Sequence, residues 1–188
     1  MTMPLHKPER SDAELVERVA AGELEALGLL FDRHEAGVRR FFLRLGIAAG
    51  DVDDLVQATF LELLRAAPRF HTDLSVKTWL FGLSMIMARR HRRSLARTAA
   101  RLLSWASWVR SESPTTPADE LERERDLRKF EAAFARLAPK KREAFTLVVL
   151  EGLSGEQAAL ALGVPVNTVW TRLHHARREL RDALEALR

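Results

Sequence analysis

Residues 153–180 read LSGEQAALALGVPVNTVWTRLHHARREL: a short helix, a tight corner and a second helix with a polar, basic outward face. Ser154 followed three residues later by Gln157 is a capping-box start, so the first helix runs through Ala158, Ala159 and Leu160 and stops at Gly163. Pro165 pre-sets the backbone for the second helix. There Val166, Val169, Leu173 and Leu180 recur at helical spacing as an inward stripe, while Asn167, Thr171, His174, His175 and Arg178 project outward. A helix-turn-helix of this kind lays its second helix in the major groove, where polar and basic side chains meet base edges and phosphates. The competing reading is an ordinary antiparallel helix pair with a solvated polar face. A short helix, a glycine-containing turn and a basic second helix coincide here, which favours DNA.

Composition permits that reading and excludes several others. The 188 residues are 47% hydrophobic and carry a formal charge of +4, enough for one or two small cores. With no cysteine there is no disulfide scaffold, Cys-based zinc finger or thiol nucleophile. Lys77, Arg89, Arg90, Arg92, Arg93, Arg97, Arg101 and Arg110 fall between Leu74 and Ser111 without one acidic residue, an electrostatic footprint for a polyanion. The opening MTMPLHKPERSD lacks the apolar segment of a signal peptide, and no apolar run reaches the length of a membrane span. These features predict a cytoplasmic, nucleoid-associated protein without membrane insertion.

The rest of the chain also reads as helical, and an all-α fold of two small helical domains joined by a flexible linker is expected. Ser11 with Glu14 forms a capping box for a first helix ending near Gly22. A second helix, Glu23 to Leu45, carries Leu27, Leu30, Phe31, Val38, Phe41, Phe42 and Leu45. Asp51 is the expected N-cap of a third helix through Arg65, with Asp53 and Asp54 in its first turn and Pro68 beyond its end. A fourth begins at Ser75 and runs into the arginine cluster, with Trp79, Leu80, Leu83 and Met87 on one face and Gly82, Met85, Arg89 and Arg92 facing outward. Residues 1–10 are expected to be disordered and 11–103 to form the N-terminal domain. The Pro-, Ser- and Thr-rich stretch 104–119 is the tether, and 120–188 is the C-terminal helix-turn-helix domain. Trp105 and Trp108, just ahead of the tether, read as a cover on the first core or as a docking point.

Reactive constellations are missing. There is no Gly-rich phosphate loop, HExxH or serine nucleophile elbow. Asp51, Asp53 and Asp54 lack the glycine and distal Glu of a calcium loop, and His174 and His175 diverge by about 100° on one helix, so neither group is a metal site. No cofactor, metal or enzymatic activity is expected.

The order of parts resembles a known family. Asp53-Asp54-Leu55-Val56-Gln57-Ala58-Thr59-Phe60-Leu61-Glu62-Leu63-Leu64, then Phe70, Trp79-Leu80-Phe81, an arginine-rich helix end, a polar tether and the helix-turn-helix are similar to bacterial sigma factors of the extracytoplasmic-function class. The resemblance runs from about Asp12 to Leu180. It implies a protein that binds core RNA polymerase, recognises −10 and −35 promoter elements and opens the duplex. It also implies control by an anti-sigma factor and a stress- or envelope-responsive regulon.

Carried over by position, the resemblance implies a polymerase contact through Asp53, Asp54, Gln57 and Phe60. It implies −10 contacts through Phe70, His71, Thr72, Lys77, Arg89, Arg92 and Arg93. The loop at Phe70 matches one that captures a flipped base, for which stacking and polar groups offset the cost of unstacking; Phe70 reads equally as a core residue. The −35 helix would present Asn167, Thr168, Trp170, Thr171, Arg172, His174, His175 and Arg178. Two positions depart from the family pattern: Ile86 stands where relatives place Asn, and Trp170 where Lys or Arg is frequent. Trp170 projects to the rim of the helix, open to packing or to DNA. A conventional helix-turn-helix regulator and a helical adaptor that never touches DNA are the other function classes the sequence admits.

Overall fold

The computed structural model describes residues 10–70, 74–102 and 121–186. The expected disordered start, the tether at 104–119, Trp105 and Trp108, and the −10 residues His71 and Thr72 lie outside the described residues. Among the described residues every regular element is helical. Two compact units form, one of residues up to Leu43 with Ile47–Met87, the other of Arg44–Gly46 with the residues from Ala88 onward.

In the first unit, α1 (Asp12–Ala20) starts at the capping box expected there. The Ser11 hydroxyl accepts from the Glu14 N–H, and the Glu14 carboxylate accepts from the Ser11 N–H at 2.8 Å. Leu15, Val16 and Val19 fall on one face and are buried. Helix α2 (Leu24–Arg44) buries Leu30, Val38, Phe41 and Phe42. Each such side chain contributes about 1.5–3 kcal/mol of transfer free energy. Asp12 ties the two helices together, accepting from Arg33 at 3.0 Å and pairing with His34 at 2.6 Å.

Helix α3 (Ala49–Ala66) begins three residues earlier than expected, with Ala48 in place of Asp51 at the N-cap and no side-chain cap. Asp51 is therefore inside the first turn, where its charge still opposes the helix dipole. A short 3₁₀ turn, Ala67–Arg69, holds Pro68 and closes the helix. Helix α4 (Val76–Leu102) is capped by Ser75, whose hydroxyl accepts from the Thr78 N–H at 3.2 Å.

Met85 was expected to face outward and is instead 0% exposed, while Ile86 is 42% exposed. The single-face projection fails because the buried arc of α4 is wider than one stripe: Leu80, Phe81, Leu83, Ser84, Met85 and Met87 are all buried, while Trp79, Gly82 and Ile86 lie toward the open side. Ser84 is tolerated there because its hydroxyl donates to the Leu80 carbonyl at 2.8 Å. Phe81 stacks on Phe41 with ring centres 4.6 Å apart.

The second unit holds α5 (Leu121–Arg136), α6 (Pro139–Phe145), a wide π turn (Thr146–Leu150), α7 (Gly155–Leu162) and α8 (Val166–Glu185). Pro139 opens α6, the position where its missing N–H costs nothing. Phe134, Leu137, Phe145, Leu173, Ala176 and Leu180 form its core, with Phe130 packed against them. Among the described residues no helix is long and apolar enough to cross a membrane.

Candidate nucleic-acid interface

Ser154 caps α7 as read from the sequence: its hydroxyl accepts from the Gln157 N–H at 3.2 Å, and its own N–H donates to Gln157 Oε1 at 2.9 Å. The helix stops at Gly163, whose φ of +65° is the left-handed conformation glycine adopts without a Cβ clash. The Val164 N–H reaches back to the Ala159 carbonyl at 3.1 Å, closing the turn. Pro165 then sits at the N-cap of α8.

Val169, Leu173, Ala176 and Leu180 form the buried stripe of α8. Val166, expected in that stripe, is only half-buried, and Ala176 completes it instead. Asn167, Trp170, Thr171, His174 and Arg178 are exposed. The first four share one face at helical spacing. Thr168, Arg172 and His175 are half-buried, and Arg172 Nη1 is enclosed without a hydrogen-bond partner. The His175 side chain thus turns partly inward, and His174 is the more outward of the pair. Trp170 keeps 47% of its surface exposed while its indole lies over Gly155 of α7.

On α3, Asp53, Asp54 and Gln57 share the exposed side, opposite the buried Leu55, Val56 and Leu63. Arg39 pairs with both Asp53 and Glu35, and those hydrogen bonds, Asp53 first, raise the guanidinium above its ordinary pKa. Phe60 belongs elsewhere. It is 3% exposed, and its ring packs against Phe31 at 4.8 Å, so it supports the helix from beneath and is not part of the outer surface. Apolar position on the helix was the available signal, and it pointed inward.

Phe70 is half-buried against Trp79, ring centres 4.8 Å apart, which leaves part of the ring accessible. Lys77 is exposed with its Nζ 5.6 Å from the centre of the Phe81 ring. Within the second unit Arg89 and Arg92, expected to face outward, are instead half-buried, drawn in by the buried Glu143, to whose opposite oxygens they donate at 2.9 and 3.0 Å. Two cations on one carboxylate leave a positive surplus there. Arg93 is exposed, its Nε donating to the Arg89 carbonyl at 3.2 Å. Among the described residues no three metal-ligating side chains gather.

Residues 30–98 match the family description "Sigma-70 region 2", and residues 127–180 match "Sigma-70, region 4". The RNA polymerase sigma factor CnrH of Cupriavidus metallidurans is 30% identical over 186 residues, covering 95% of this chain and 97% of that one. The ECF RNA polymerase sigma-E factor of Escherichia coli K12 is 29% identical over 185 residues, covering 94% and 96%. Among solved structures, CnrH in complex with the cytosolic domain of CnrY superposes with a TM-score of 0.66 at 28% identity, covering 94% of this chain and 99% of that one. The sigma factor RpoE in complex with the anti-sigma factor NepR from Bartonella quintana gives 0.63 at 27%, covering 86% and 98%.

The chain belongs to the sigma-70 family, in its extracytoplasmic-function class. It is a transcription initiation factor: regions 2 and 4 bind core RNA polymerase and the −10 and −35 promoter elements.

Proposed function

We propose that α8 reads the −35 element through Asn167, Trp170, Thr171 and His174, with Thr168, Arg172, His175 and Arg178 at the flanks. The observation that carries this is the exposed stripe on α8, presented by a capped α7 and a glycine corner and backed by an independent buried stripe. Base edges in the major groove demand such a face. On the same reading Asp53, Asp54 and Gln57 meet a basic surface of core polymerase. Phe70, with His71 and Thr72, receives a base of the −10 element, while Lys77, Arg89, Arg92 and Arg93 meet its phosphates. Ile86 puts an exposed apolar side chain where a polar reader would serve, which shifts the work of this helix toward phosphate contact and shape.

The protein acts by binding and not by catalysis, in the cytoplasm at the nucleoid. An anti-sigma factor controls it, as the complexes of CnrH with CnrY and of RpoE with NepR suggest. Residues 11–103 and 120–188 act as the two binding domains on either side of the 104–119 tether, and the regulon responds to stress or to the envelope. Run-off transcription with purified core polymerase and a genomic promoter library tests the reading. Selective initiation from a set of promoters sharing −10 and −35 elements is expected. Binding to paired half-sites without core polymerase, and no initiation with it, would sink the reading in favour of a conventional regulator.

A further inference from the structure

Gly155 occupies the first helical position of α7, directly after the N-cap Ser154. It is buried, and it is not among the glycines with positive φ. Backbone conformation therefore does not call for glycine here, and alanine is the better helix former. The reason lies across the corner. A Cβ at position 155 would stand 2.5 Å from Trp170 Cζ2, 2.8 Å from Cε2 and 3.0 Å from Nε1, closer than side chains pack. The indole occupies the space that a methyl group would need.

Trp170 lies three residues after Asn167, one before Thr171 and four before His174, in the exposed stripe of α8. Side chains on a helix lean toward its N-terminus, which carries the indole back onto α7. One part of the ring system is thereby fixed on the Gly155 backbone. The remainder stays in solvent beside the polar residues of the stripe, leaving Trp170 47% exposed. An aromatic anchored in this way keeps little rotational freedom to lose on binding, which favours it as a recognition element.

We propose that Gly155 and Trp170 together determine specificity at the −35 element: the indole, seated on the glycine, offers its free apolar edge to the 5-methyl group of a thymine in the major groove. This rests on the reading of α8 as the −35 helix. Thymine is the one base that presents a methyl group on that side of the duplex. Gly155 acts through Trp170 and touches no DNA, so it is a positioning residue.

Holoenzyme binding is measured on a −35 element selected from randomised duplexes, and on copies in which each thymine in turn is replaced by deoxyuridine. For the natural chain at least one replacement weakens binding about fourfold, the worth of one buried methyl group. Trp170→Ala or Trp170→Gln abolishes that difference. Gly155→Ala, which must displace the indole, diminishes it, and adds nothing in the Trp170→Ala background. Circular dichroism checks the fold of each variant. A selected element without any methyl-sensitive thymine overturns the proposal, and the natural chain alone decides this even if a variant unfolds. Undiminished deoxyuridine sensitivity in a folded Trp170 variant overturns it too, as does an equal effect of Gly155→Ala in both backgrounds. Thr171→Ala with His174→Ala separates the two levels. Unchanged −35 preference in that variant removes α8 from the −35 element. Changed preference, with the deoxyuridine profile intact in the Trp170 variants, removes only the role of the indole.

Discussion

The Thr171 hydroxyl donates to the Asn167 carbonyl one helical turn before it, at 2.9 Å. Its only proton is committed to the helix backbone, so toward DNA the residue offers lone pairs and a methyl group. Replacing Thr171 and His174 together by Ala is expected to change which −35 sequences are preferred, at about 1–3 kcal/mol for each base edge no longer met. A holoenzyme titration against matched and scrambled −35 elements measures this. Equal weakening on both would reassign the face to phosphate contact.

Asp54 and Gln57 stand one turn apart on the exposed side of α3. Asp54→Lys combined with Gln57→Ala should weaken association with core polymerase while helicity and melting temperature stay near those of the natural chain. Phe60→Ala makes the contrast. As a core ring it should cost about 3–5 kcal/mol of stability by denaturant unfolding. Full polymerase affinity in the folded double variant would take this surface out of the interface.

Arg93, exposed within the basic stretch, is expected to behave as a phosphate ligand. Arg93→Ala should lower promoter affinity alike for matched and mismatched elements. It should also flatten the log–log salt dependence by about 0.9 for each duplex phosphate that is no longer neutralised. A sequence-selective effect at unchanged salt slope would instead mark base readout.

Acid should weaken the start of α7. The Glu156 carboxyl is held below its usual range by its own backbone N–H and then by the Ser154 hydroxyl, which donates to it at 2.8 Å. Because the folded-state value is depressed, this contribution is present above the ordinary glutamate range and is lost as pH falls through the lowered value. Ser154→Ala also removes the N-cap, at about 0.5–2 kcal/mol near neutrality. The gap between natural and variant stabilities should narrow at acid pH, as urea unfolding across a pH series would reveal. A gap that widens toward acid contradicts this assignment.

Where a structural signal is local, the sequence was readable. Ser11 with Glu14, Ser154 with Gln157, and Gly163 each mark a helix end through groups no more than a few residues away, and each is found where it was expected. Where the signal depends on neighbours distant in the chain, it was not. Met85 is enclosed because α4 is covered on several sides, a fact that no single-helix projection contains. Helix α3 begins at Ala49 without a capping side chain, so Asp51 attracted the boundary on chemistry that the fold does not use. The π turn at Thr146–Leu150 departs from the 3.6-residue period on which any reading of helical spacing relies. On α8 the exposed polar stripe followed from spacing, but the seat of Trp170 on Gly155 needed two helices in place.

The segment from Ser154 to Leu180 carries its own start signal, its own corner and an inward stripe distinct from the face it displays. Such a segment behaves as a cassette. Its exposed residues Asn167, Thr171 and His174 can be replaced without touching the residues that hold it, so on the proposed reading new promoter sets become reachable by few substitutions. The indole over Gly155 is the exception to that freedom: it fills the space that a side chain at position 155 would need, so as long as Trp170 stays, position 155 is held to glycine.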